Sequence, residues 1–75
     1  MVDISTYTQN NPYIAPCDGY LRANSWENVT RPYYINGVLG TLAANSSVFT
    51  FVKSGMKLYG GGSIAGTNLV FYPLV

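Results

Sequence analysis

The sequence predicts an all-β fold, a small antiparallel β-sandwich. Three observations carry this. Turn signals recur at Pro16-Cys17-Asp18-Gly19, Asn36-Gly37, Lys53-Ser54-Gly55 and Gly60-Gly61-Gly62. The runs between them are rich in aromatic and β-branched residues, which suit a pleated, half-buried surface. No window of about eleven residues carries a helical stripe, because Gly and Pro interrupt most of them.

Taken in order, residues 1–11 are polar, rich in Thr, Asn and Gln, and read as an extended N-terminal arm. Residues 12–75 read as the β-sandwich domain. Asp18 precedes Gly19 in a turn, where its carboxylate is expected to bond nearby backbone N–H groups. Tyr33-Tyr34-Ile35, then Asn36-Gly37, then Val38-Leu39 is the strongest hairpin signal in the chain. In Ser47 to Val52, Phe49 and Phe51 point to one face, and Val48, Thr50 and Val52 to the other. Met56-Lys57-Leu58-Tyr59 alternates cleanly, with Met56 and Leu58 on one face. The last strand, Asn68 to Val75, is apolar on both faces: Leu69, Phe71 and Pro73 on one, Val70, Tyr72 and Leu74 on the other. Such a strand is covered on both sides. Either the chain's own arm caps it, or a neighbouring subunit does. Pro73 fits only near a strand end or sheet edge.

Size and charge favour a neighbour. Folding 75 residues buries roughly 7,400 Å², worth about 110 kcal/mol if ~60% of it is apolar. Ordering the same residues costs about as much, at ~1.5 kcal/mol each. Cys17 is alone, so no disulfide staples the chain, and one Cys with no His nearly excludes zinc. Charged residues make up 9%, against about 25% in an ordinary domain. Hydrophobic residues make up 48%, seven of them Tyr. Association with other copies or a larger partner is therefore expected. A net charge of +1 leaves no electrostatic footprint for nucleic acid or an anionic membrane. Met1-Val2-Asp3 lacks the basic start of a secretion signal, and Leu69 to Val75 is too short to span a bilayer.

Catalysis is poorly supplied. There is no His, and the acids are Asp3, Asp18 and Glu27. Asp18 and Glu27 form a glycosidase pair only in principle, because so short a chain has little room for a sugar cleft. Cys17 lacks a base and reads as a small, inert, buried side chain. Gly60-Gly61-Gly62-Ser63, with Gly66, is no phosphate cradle, because Ile64 to Thr67 leads into a strand and not a helix. No enzyme activity, cofactor or metal is expected. Arg22, Arg31, Lys53 and Lys57 are dispersed and read as solvated charges at strand ends. Trp26, in the polar stretch Asn24-Ser25-Trp26-Glu27-Asn28, suits carbohydrate stacking or a protein contact, and equally suits closing the end of a small core.

Three segments carry a family resemblance. Ala15-Pro16-Cys17-Asp18-Gly19-Tyr20-Leu21 resembles an "AP-x-DGY" opening, and Tyr34-Ile35-Asn36-Gly37-Val38 an "INGV" hairpin. Val52-Lys53-Ser54-Gly55 with Phe71-Tyr72-Pro73-Leu74 resembles a "V-K-x-G … FYPL" close. Together they resemble small β-sandwich domains of bacteriophage virion proteins, found on fibre tips and among head proteins. Those domains are similar to tumour-necrosis-factor or C1q jelly-rolls and form trimers. The resemblance implies a non-enzymatic phage structural protein: a homotrimeric capsid decoration, cement or head-fibre protein on the virion. Its partners would be its own copies and the major capsid protein or another virion protein, with no nucleic acid and no membrane insertion. Tyr33, Tyr34, Phe71 and Tyr72 are the expected subunit interface. Met56 departs from the family, which often has an acidic residue after the Lys-x-Gly turn. No fibre stalk precedes the domain in this sequence; a stand-alone virion protein is expected if this is the whole gene product. The alternative is a tail-fibre tip that contacts a host surface glycan or protein through Trp26 and Asn28.

Overall fold

Turn chemistry sets the spacing of the fold. Asn36 (φ 53°) and Gly37 (φ 86°) both take left-handed conformations, the geometry whose twist suits a two-residue hairpin. They join β4 (Arg31–Ile35) to β5 (Val38–Leu42). The computed structural model describes residues 1–62 and 64–74. It has six further strands: β1 (Val2–Asp3), β2 (Tyr13–Ile14), β3 (Gly19–Ser25), β6 (Ser47–Val52), β7 (Lys57–Gly60) and β8 (Thr67–Pro73). Ser63 of the glycine-rich loop and Val75 of the last strand lie outside the described residues.

The fold is all-β, with two antiparallel four-stranded sheets and no helix among the described residues. The first sheet runs β1-β8-β3-β6 and the second β2-β7-β4-β5. Pairing is nested: the first strand pairs with the last, the second with the seventh, the third with the sixth and the fourth with the fifth. Only the β4–β5 turn stays within one sheet. Every other link between consecutive strands crosses between sheets.

The inner faces make one core. Along β3, Gly19, Leu21, Ala23 and Ser25 are buried, while Tyr20, Arg22 and Asn24 point outward. Leu21, Ala23, Val52, Leu69 and Phe71 of the first sheet meet Leu42 and Leu58 of the second, with Ile4 and Ala15 from the links. Full burial of each large side chain contributes roughly 1.5–3 kcal/mol. The accessible surface is 4260 Å², close to the ~4,500 Å² of a monomeric protein of this mass. The interior therefore closes within one chain, and what remains for a neighbour is an outer face.

Residues 1–11 are held against both sheets. Val2 pairs with Phe71 and Asp3 with Val70 at the sheet edge. Ile4 donates its N–H to the Leu69 carbonyl (2.8 Å), and its side chain has no exposed surface. Gly60 donates its N–H to the Tyr7 carbonyl (3.2 Å). Three apolar residues in a polar stretch, Val2, Ile4 and Tyr7, are what tie it down. β8 thereby becomes a central strand, and Val70 on its outer face keeps only 7% exposure.

Arg31 corrects the reading of solvated charges. It has no exposed surface, because it shares the inward register of β4 with Tyr33 and Ile35. Its Nη1 donates to Thr67 Oγ1 (2.9 Å), and its Nη2 to the carbonyls of Ser5 (2.9 Å) and Gly62 (2.6 Å). Thr67 Oγ1 donates onward to the Ile64 carbonyl (2.8 Å). One guanidinium thus ties β4 to β8, to the N-terminal segment and to the glycine loop.

Candidate functional site

Strand alternation that fills the core also decides what is left outside. In β6, Val48, Thr50 and Val52 turn inward, so Phe49 and Phe51 turn out, 64% and 47% exposed. On β3, Tyr20 (40% exposed) stands between Phe51 and Tyr72 in register, and Arg22 stands between Phe49 and Val70. The Tyr20 and Phe51 rings meet edge-on at 5.8 Å, and Phe49 reaches Tyr72 at 6.4 Å. The Arg22 guanidinium lies 5.5 Å from the Phe49 ring centre, within cation–π range. Tyr20, Phe49, Phe51 and Tyr72 therefore form one aromatic face on the first sheet. Rings of ~200 Å² each, about half exposed, leave roughly 300 Å² from Tyr20, Phe49 and Phe51 alone. The largest apolar patch on a typical monomer is about this size, and it is often functional.

Of the residues singled out from sequence for an interface, Tyr72 lies on this face. Phe71 does not: it is fully buried in the core of its own chain. Tyr33 packs inward against the core, with its ring against the Gly40 backbone. Tyr34 is on the outer face of the second sheet, stacked on Tyr59 at 4.9 Å and 16°. These four residues do not come together. Trp26 (56% exposed) and Asn28 are both exposed on the β3–β4 loop. Neighbouring loops brace that loop: Trp26 donates its N–H to the Gly66 carbonyl (2.9 Å), and Asn45 donates its N–H to the Glu27 carbonyl (3.0 Å). Tyr20, Phe49 and Phe51 are not among the residues expected at an interface, yet they are the ones the structure exposes beside Tyr72. The sequence signal for that face is the period-2 split of residues 48–52.

Chemical groups are scattered. Asp18 and Glu27 flank opposite ends of β3. At ~3.3 Å per residue a seven-residue strand separates them by more than ~20 Å, beyond the roughly 5–9.5 Å of a glycosidase pair. Asp18 does not serve its own turn. Its Oδ1 accepts from the Ser54 N–H (2.9 Å), linking two distant turns. Cys17 is half-buried against the core. Among the described residues, no group of three His, Cys, Asp or Glu side chains converges, and no helix is long and apolar enough to cross a membrane. The Ser5 hydroxyl and N–H both donate to Asp3 Oδ1 (2.5 and 2.9 Å) and hold that carboxyl below its ordinary value of 3.8. What the aromatic face offers is contact surface and one cation.

Comparison with protein-family models, curated proteins and solved structures finds no match to this chain.

Proposed function

We propose that the chain is a non-enzymatic structural protein of a bacteriophage particle. It assembles as a homotrimer through the outer face of the first sheet, and sits on the capsid as a decoration, cement or head-fibre protein. The observation that carries this is the exposed face of Tyr20, Phe49, Phe51 and Tyr72 on a charge-poor chain with a closed core. Interface cores are enriched in aromatics and depleted of charge. The nested pairing supports a jelly-roll subunit: four consecutive strand pairs of one long hairpin, rolled so that β3 meets β8 and β4 meets β7. The phage setting and the trimer are what the motif resemblance implies.

Sedimentation at micromolar concentration tests the assembly. The expected species has three times the 8.2 kDa chain mass. Phe49→Asp or Tyr72→Asp should reduce it to a folded monomer. A folded wild-type monomer overturns the reading. Immunogold labelling of particles tests the setting, with label expected over the head. Label at the tail instead favours a fibre tip that touches a host glycan or protein. The prominence of Trp26 beside Asn28 on one braced loop supports that second reading.

A further inference from the structure

We propose that a groove on the second sheet, facing away from the aromatic face, is a binding site for a neutral saccharide. The groove has a volume of about 400 Å³, within the ~300–1,000 Å³ typical of ligand pockets. One wall is the tight turn of the N-terminal segment. There Thr8 and Asn11 exchange backbone hydrogen bonds of 3.2 and 3.0 Å, and the Gly60 N–H anchors the turn through Tyr7. The other wall is the β4–β5 hairpin at Gly37. Between them lie the stacked rings of Tyr34 and Tyr59, of which Tyr59 is largely covered, and the exposed backbone of Gly61.

The lining selects the ligand. Thr8, Gln9, Asn10, Tyr34 and Tyr59 are all uncharged, as are the glycines. Nothing there pairs a phosphate, a carboxylate or an ammonium. The amides of Gln9 and Asn10, and the Thr and Tyr hydroxyls, each donate and accept. That is the pattern a ring of sugar hydroxyls needs, because each of those also does both. Tyr34, half-buried and backed by the covered ring of Tyr59, supplies apolar surface for the C–H face of a pyranose, and Gly37 and Gly61 are exposed with no side chain to shield their backbone. A proline-rich peptide fits less well. Such peptides seat in aromatic-lined grooves, whereas here the two rings are closed on each other at 4.9 Å and leave no slot between them. The site lies on the sheet opposite the proposed subunit interface, so it does not depend on assembly.

The test is an amide-resolved NMR titration of the full chain with lactose, maltotriose and chitotriose, and with decaproline for comparison. At about 10 mM, roughly ten times a millimolar Kd, one or more of the saccharides is expected to shift the amides of Gln9, Asn10, Gly37 and Gly61. The Trp26 loop should stay unmoved. Tyr34→Ala should weaken binding. So should the double change Gln9→Ala with Asn10→Ala, by about 10-fold; both side chains are exposed, and an unchanged amide spectrum away from the turn checks that the fold is kept. No shift with any of the three sugars overturns the proposal. So do shifts confined to the Trp26 loop, unchanged affinity in the double variant, or a groove that responds to decaproline alone. The oligomeric state of the same sample is read separately by sedimentation, so failure of one proposal is distinct from failure of the other.

Discussion

Arg31 places a positive charge inside a domain with little else to stabilise it. Burial pushes its pKa down and the Asp3 charge pushes it back up, yet a guanidinium stays protonated at any working pH. Its Nη atoms are satisfied by Thr67 and by the Ser5 and Gly62 carbonyls, while its Nε has no partner. Arg31→Ala empties that space and strands three acceptors. It is expected to cost about 3–5 kcal/mol, read as a lower urea midpoint; a loss under ~1 kcal/mol would mean the network holds nothing. Gly60 is shaped by the same side chain. A Cβ there would lie 2.7 Å from Arg31 Nη2 and 2.9 Å from Leu69 Cδ1, so Gly60→Ala should cost about 1–3 kcal/mol. Asp3 gives the N-terminal edge a pH dependence. Its folded pKa lies below 3.8, with the Ser5 hydrogen bonds the main cause. Its contribution is therefore complete above that value and fades as pH falls through the lower, folded one. Asp3→Asn should flatten the acid limb of the stability curve. An unchanged acid limb would remove Asp3 as its source.

The elements divide by how local their signals are. The β4–β5 hairpin, β6, β7 and β8 are legible in the sequence because turn chemistry and period-2 alternation sit within a few residues. At Gly37 the signal is purely backbone, since no atom lies within 4 Å of where a Cβ would be and φ is +86°. Gly37→Val should therefore cost about 1–2 kcal/mol, or roughly 4–8 °C per kcal/mol in thermal melting, with no loss of packing. A melt unchanged from wild type would show that another turn sets the register. β1 and β2 are two residues long and too short to show a period. Alternation also splits a strand into two faces without saying which turns inward. In β6 the bulkier set, Phe49 and Phe51, faces out. On β4 a charge faces in, because the alternation of Tyr33 and Ile35 carries Arg31 with it. The interface expectation mixed faces for the same reason: Phe71 and Tyr72 are neighbours in sequence and back to back across the sheet.

At the scale of the whole molecule, the closed core and the open aromatic face make separable predictions. Phe71→Ala opens the interior and should cost about 3–5 kcal/mol. Phe49→Asp lies outside the core and should change the stability of a single folded chain by no more than about 0.5 kcal/mol, while abolishing assembly. Equal stability losses in the two variants would show that the outer face is needed for folding as well as for contact. The nested strand order also has a consequence for biosynthesis. β8 lies between β1 and β3, so β1 has no partner until Thr67–Pro73 has left the ribosome. The earliest piece available to an emerging chain is the central hairpin, marginal alone in water. The N-terminal edge therefore waits unpaired for the last strand, and a co-translational chaperone has most to shield in that interval.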